Sequence, residues 1–353
     1  MRLAYAPYIL KFKNPAGTSR GVLTEKPTFL IKVFDEKEPE RFGIGECSVF
    51  PGLSPEADGN YGYKLVELLA NMALGKDTDL SRHSSIQFGL EQALRDFAGG
   101  CNHIYFPSDF TKGEKSIEIN GLVWMGDFDQ MIERIDEKVD KGFHCIKLKI
   151  GAIDWKKEIE MIEYVRNKYS DSQLEIRVDA NGGFTMDNVL PRLKRLADLG
   201  VHSIEQPVPS SYPNELMAFL CQVSPLKIAL DESLIGVYGK EAKRKLLDEV
   251  HPAYIILKPS LCGGFEGAEN WIRLAEEKGI GWWVTSALES NIGLNALAQW
   301  TATLNTRIPQ GLGTGALYTN NFESPLYLDA DHLGYDPSVA IPDIGYSNLD
   351  WRE

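Results

Sequence analysis

The sequence predicts an α/β protein built as a closed (β/α) barrel, preceded by a smaller α+β domain. Three observations carry this reading. The chain has 353 residues, more than a single domain of about 100–200 residues accommodates. From about residue 115, short β-rich apolar runs alternate with amphipathic stretches of helical period. The residues ending those runs are Lys149, Asp179, Glu205, Asp231, Lys258, Ser286 and Gly313, at intervals of 30, 26, 26, 27, 28 and 27. One strand plus one helix, repeated so steadily to about eight strands, closes a barrel. An open dinucleotide-binding sheet would carry a GxGxxG turn, and neither Gly182-Gly183 nor Gly263-Gly264 has that spacing.

The first domain spans 1–114. Leu30–Phe34 reads as a strand, and a second leads into Gly43–Glu46. Asn14–Gly21 and Pro51–Pro55 are Gly/Pro-rich loops, and Tyr63–Ala73 and Ser85–Ala98 have helical period. The barrel occupies 115–320, with strands at Ser116–Asn120, Cys145–Ile150, Glu175–Asp179, Ser203–Glu205, Ile228–Asp231, Tyr254–Lys258, Gly281–Thr285 and Gly311–Gly313. Helices are expected at Phe128–Lys141, Lys156–Tyr169, Asn188–Leu199 and Gly267–Lys278. Residues 321–353 lack the period and read as a tail returning over the first domain.

Composition excludes whole classes. The formal charge is −13, which repels phosphate backbones and anionic lipid, so no nucleic-acid or membrane partner is expected. No apolar run reaches the roughly 18–20 residues of a bilayer span, and the first residues lack a secretory h-region. The five cysteines, Cys47, Cys101, Cys145, Cys221 and Cys262, form no CxxC and no even framework. A reducing, cytoplasmic compartment is expected. A homo-oligomer is compatible with all of this.

The strand ends carry the chemistry. Side chains alternate along a strand, so Lys147 and Lys149 share a face, as do Arg177 and Asp179, while Ile146, Leu148 and Val178 face the helices. Singly, each charged residue has a bland reading: a solvated KxK, an N-capping Asp, a rim Glu. Converging on one barrel mouth, they demand pairing or a cation. Asp179, Glu205 and Asp231 form an all-oxygen ligand set suited to Mg²⁺, with Mn²⁺ able to substitute. Three carboxylates, one Mg²⁺, cationic Lys147 and Lys258 and one substrate carboxylate balance to zero if Lys149 is neutral. Lys149 is then a general base for a proton α to a carboxylate, with Lys258 opposite it.

KxK, DxN, EQP, DES and KP, in that order and period, resemble the muconate-lactonizing subgroup of the enolase superfamily, known for a Lys or His base with divalent ions. The resemblance covers nearly the whole chain and implies a (β/α)7β TIM-like barrel under an N-terminal α+β capping domain. It makes Lys149 the base, Lys147 its partner and Lys258 the opposite cation. Asp179, Glu205 and Asp231 become metal ligands, with Asn181, Glu232 and Arg177 behind them.

Three features resemble the o-succinylbenzoate synthase family in particular: Arg177-x-Asp179-Ala180-Asn181, the loop Ser286-x-x-Glu289-Ser290-x-x-Gly293, and the absence of an Asp-x-Asp near Gly311–Gly315. The resemblance implies Mg²⁺-dependent dehydration of 2-succinyl-6-hydroxy-2,4-cyclohexadiene-1-carboxylate in menaquinone biosynthesis. Substrate contacts are then expected at Ser286, Glu289, Ser290 and Gly313. Thr18 and Arg20, from the Gly17–Gly21 loop, and Phe50 and Leu53 are expected to close over the ring. The rival readings are an N-acylamino-acid racemase or dipeptide epimerase, and a non-catalytic metal- or metabolite-binding barrel. For Ser286, Glu289 and Ser290 the competing reading is simple capping of the next helix.

Overall fold

The computed structural model describes residues 1–18, 21–124, 128–151, 154–341, 346 and 348–353, with only the backbone of Gly17 and Thr18. The first domain is a three-stranded antiparallel sheet, Arg2–Thr18, Gly21–Asp35 and Glu38–Cys47, followed by helices Tyr61–Ala73 and Ser84–Gly99. Asn14–Gly21, expected as a loop, is mostly strand. After a register shift between Lys11 and Ala16 the ladder resumes, with Ala16 opposite Leu23 and Thr18 opposite Gly21. Pro15 lies inside that shift; it lacks an N–H, so the ladder bulges there and then continues.

Glycines let the second helix lie directly on the sheet. A Cβ on Gly45 would stand 1.9 Å from the Gly89 carbonyl oxygen, and one on Gly43 would stand 2.2 Å from that of Ala93. Leu65, Leu69, Ile86 and Leu90 pack on Ile31 and Val33 to form this domain's core.

The barrel strands are Gly121–Val123, Cys145–Lys149, Glu175–Asp179, Ser203–Glu205, Lys227–Leu230, Tyr254–Leu257 and Gly281–Val284, each parallel to the next. The eighth position is only a pair of parallel bridges, Thr285 with Gly311 and Ile119 with Gln310, which close the ring. Ile146, Leu148, Ile176, Val178 and Ile204 pack outward against the surrounding helices, where Met161, Leu193 and Leu196 are buried. This is the α/β barrel that the period predicts.

Two elements depart from expectation. Ser116–Asn120 does not supply the first barrel strand: Ile117–Glu118 pairs antiparallel with His332–Tyr335, and the barrel strand is Gly121–Val123. Alternation marks a strand but not its partner, and the hairpin of Leu326–Asp329 and His332–Tyr335 claims those hydrogen bonds. That hairpin therefore packs on the barrel. The rest of the tail does return to the first domain: Phe322 packs on Tyr8, Tyr346, Leu349 and Trp351 cover Leu30, Ile44 and Phe42, and Arg352 bridges Tyr5. Among the described residues, no helix is long and apolar enough to cross a membrane.

Candidate active site

Strand register brings the charged residues together. Lys149, Asp179 and Glu205 are lateral partners on three adjacent strands, and Lys147 lies two residues before Lys149 on the same face. Asp231 and Lys258 each follow their strand by one residue. Lys147 donates to Asp179 Oδ2 at 2.9 Å and also to Glu205 Oε2. Lys149 donates to Asp179 Oδ2 (2.5 Å) and Asn181 Oδ1 (2.8 Å). Lys258 donates to Asp231 Oδ2 at 2.5 Å.

The surrounding loops hold these groups in place. The Asn181 amide donates to Glu232 Oε1 at 3.0 Å, and its backbone N–H donates to Asp179 Oδ1 at 3.0 Å. The buried side-chain Oε1 of Gln206 accepts the N–H groups of Asp231 and Ser233, both at 3.2 Å, tying the ends of strands four and five together. Gln206 has φ +38° and Asn181 has φ +43°, in the left-handed region where ordinary side chains are strained. Gln206, the middle residue of EQP, is a positioning residue, and no motif spacing marks it as one.

Burial and mutual charge set the protonation states. Burial pushes the Lys147 ammonium down, but Asp179, Glu205 and Asp231 together hold it above its ordinary range. Lys258 is raised for the same reason, with Asp231 and Glu232 outweighing burial. Burial works to raise the Asp179 carboxyl, yet Lys147, Lys149 and Lys258 keep it well below the usual carboxylate range. Burial, opposed by Lys147 and assisted by Asp179 and Asp231, pushes Glu205 up to about 7.

Such a triad can hold a metal ion. One oxygen from each of Asp179, Glu205 and Asp231 lies within 4.8 Å of the others. Glu205 Oε1 is buried and has no hydrogen-bond partner among the described residues, so a ligand atom is left over. The donors are all carboxylate oxygens, the chemistry of a hard divalent cation.

Above the triad is a cavity lined by Lys147, Lys149, Lys258, Asn181 and Glu232 on its charged side. Phe50, Leu53, Leu122, Trp124, Ala287 and Leu288 form its apolar wall, and Ser286, Thr314, Gly313, Thr285 and Asn120 complete it. Phe50 and Leu53 come from the first domain, so the two domains share the site.

Residues 130–337 match the model of the enolase C-terminal domain-like family. The chain belongs to that family. It is 47% identical to an o-succinylbenzoate synthase of Desulfotalea psychrophila, over 95% of this chain and 99% of the relative. The crystal structure of MenC from Desulfotalea psychrophila superposes with a TM-score of 0.82 at 43% identity, covering 95% of this chain and 99% of that one. A muconate lactonizing enzyme of Pseudomonas fluorescens shares the fold, with a TM-score of 0.80 at 22% identity and 98% of both chains covered.

Within this family frame, several expected contacts lie elsewhere. Arg177 does not stand behind the acid triad. Two residues below Asp179, it is one layer deeper in the barrel, donating to Glu175 Oε1 (2.6 Å) and the Pro309 carbonyl (2.8 Å), with its guanidinium over the Trp283 ring. Glu289 and Ser290 do not line the cavity. Glu289 accepts from Ser260 (2.9 Å) and Ser286 (2.5 Å), while Ser290 caps the helix Asn291–Thr303 and bonds Glu46. Capping, the competing reading, accounts for Ser290. Arg20 and the Thr18 side chain lie outside the described residues.

Proposed function

We propose that this protein is a Mg²⁺-dependent lyase. It dehydrates 2-succinyl-6-hydroxy-2,4-cyclohexadiene-1-carboxylate to o-succinylbenzoate for menaquinone synthesis. The observation that carries this reading is the near-full-length 47% identity to an o-succinylbenzoate synthase. The complete set of strand-end lysines and acids supports it.

Asp179, Glu205 and Asp231 are the residues that would hold the ion. Bound there, Mg²⁺ supplies positive charge to the substrate carboxylate as the neighbouring C–H bond breaks. Lys149, held by Asp179 and Asn181, takes the α-proton and then passes it to the departing hydroxyl on the same face. The C–O bond breaks, water leaves and the ring becomes aromatic. Lys258, kept cationic by Asp231 and Glu232, faces the developing negative charge. Lys147 holds Asp179 and Glu205 together, and Phe50 and Leu53 exclude water. The five free thiols support a reducing, cytoplasmic location.

The test follows loss of the cyclohexadiene absorbance with Mg²⁺ and with chelator. Conversion with Mg²⁺, abolished by chelation and restored by added Mg²⁺, is the expected result. The reading fails if the diene is untouched while deuterium from solvent enters both enantiomers of an N-succinyl amino acid.

A further inference from the structure

The polar groups around the cavity divide into those already satisfied and those left over. Ser286 is satisfied. Its hydroxyl donates to Glu289 Oε2 (2.5 Å) and accepts from Thr314 Oγ1 (2.8 Å) and the Leu288 N–H (3.0 Å). A hydroxyl has one hydrogen and two lone pairs, so none remains for a ligand. The cavity lysines are paired with the strand-end carboxylates.

Asn120 and Thr285 are left over. Asn120 is only 3% exposed and lines the cavity, yet its Oδ1 has no hydrogen-bond partner among the described residues. The buried Thr285 Oγ1 has none either. Both residues sit at the seam where the barrel closes: Thr285 is bridged to Gly311, and the Asn120 N–H donates to the Gln310 carbonyl at 2.9 Å. The adjoining Leu122, Ala287 and Leu288 offer no side-chain partner. Buried polar groups left unpaired are rare and call for a partner, and in a binding cavity a ligand can supply it.

We infer that Asn120 and Thr285 are specificity-determining residues that bind the oxygens of the substrate's side arm, away from the carboxylate held at the acid triad. The inference rests on the reaction proposed above, whose substrate carries a succinyl arm with ketone and carboxylate oxygens. An amide rotated by 180° presents its NH₂ group, and the threonine hydroxyl donates, so both serve acceptor oxygens. A substrate without such an arm leaves both groups unpaired. A site built for hydrogen bonding rejects that analogue more strongly than an apolar wall would.

The experiment measures calorimetric affinity of the Mg²⁺-loaded protein for o-succinylbenzoate and for benzoate, which lacks the arm. Turnover of the cyclohexadiene by the unmodified protein is measured first. Asn120→Ala should weaken o-succinylbenzoate about tenfold and leave benzoate within about twofold. Asn120→Asp should weaken it further, because the new carboxylate repels that of the arm. Thr285→Val, close in shape, should also lower o-succinylbenzoate affinity selectively. Unchanged affinity in both Asn120→Ala and Thr285→Val overturns the inference, since resident water then satisfies these groups. Equal losses for the two ligands overturn it as well. If the unmodified protein fails to consume the diene, the proposed reaction fails. If it turns over and the variants do not discriminate, only the present inference fails.

Discussion

Ser290 donates both its N–H (3.0 Å) and its hydroxyl (2.6 Å) to the fully buried carboxylate of Glu46, which belongs to the other domain. Thr28 Oγ1 (2.9 Å) and the Gly293 N–H (3.0 Å) complete the set. A capping-domain acid thus occupies the start of a barrel helix, where unpaired N–H groups and the helix dipole favour negative charge. Glu91 repeats the device one helix earlier, accepting from the Phe265 N–H at 2.6 Å. Phe50 and Leu53 follow Glu46 closely in the chain, and Ser286 precedes Ser290. One carboxylate therefore ties two walls of the cavity together.

Glu46→Ala should cost roughly 3 kcal/mol of stability, because it strands several buried donors of a charge-assisted cluster. It should also raise KM by loosening Phe50 against Ser286. Urea unfolding and steady-state kinetics check both effects. An unchanged unfolding midpoint would show that the donors find other partners.

Gly293→Ala sets two effects against each other. Replacing a helical glycine ordinarily gains about 1 kcal/mol. Here the new Cβ would stand 2.7 Å from Glu46 Oε2 and 2.9 Å from Glu289 Cβ, and overpacking costs about 1–3 kcal/mol. A net loss of stability is expected in thermal unfolding, and a gain would refute rigid seating of Glu46.

Lys149 and Glu205 should separate chemistry from metal binding. Lys149→Ala should lower kcat by about 10³-fold, the scale of a lost general base, while keeping most Mg²⁺ affinity. Glu205→Gln should weaken Mg²⁺ first, since an amide is a poorer ligand for a hard cation. Equilibrium dialysis beside the kinetics distinguishes them, and identical Mg²⁺ affinity in Glu205→Gln would count against its role as a ligand.

Asp331 gives a pH-dependent term. It accepts from ring nitrogens of His144 (2.8 Å) and His332 (2.7 Å). Burial pushes its carboxyl up, but the two imidazoles outweigh that and hold it below the ordinary range. A carboxyl lowered on folding stabilises above its unfolded pKa of about 3.9 and loses that contribution as pH falls through the folded value. The stability gap between the unmodified protein and Asp331→Asn should therefore be full near neutral pH and shrink below about pH 4. Urea midpoints across that range test it, and a gap that grows toward acid contradicts the assignment.

Much of the site is readable without coordinates because its residues recur at strand ends. Alternation sets Lys147 and Lys149 on one face, and the repeat of strand plus helix puts Asp179, Glu205, Asp231 and Lys258 at one mouth. Arg177 lies beyond what alternation determines. Alternation gives it the face of Asp179 but not its depth, and one layer lower it meets Glu175 and Trp283 instead of the acids. The first barrel strand fails similarly, since Ile117–Glu118 looks like a strand whichever partner it takes.

The order of strands, the identity of the charged mouth and its preference for a hard cation are properties of the chain alone, because periodicity and residue chemistry are local. Which polar groups are spent and which remain open is not. Ser286 is occupied by Glu289 and Thr314, while Asn120 and Thr285 are left facing the cavity. Those outcomes, like the seating of Glu46 on Ser290, depend on partners that are distant in sequence and meet only when the barrel closes and the two domains dock.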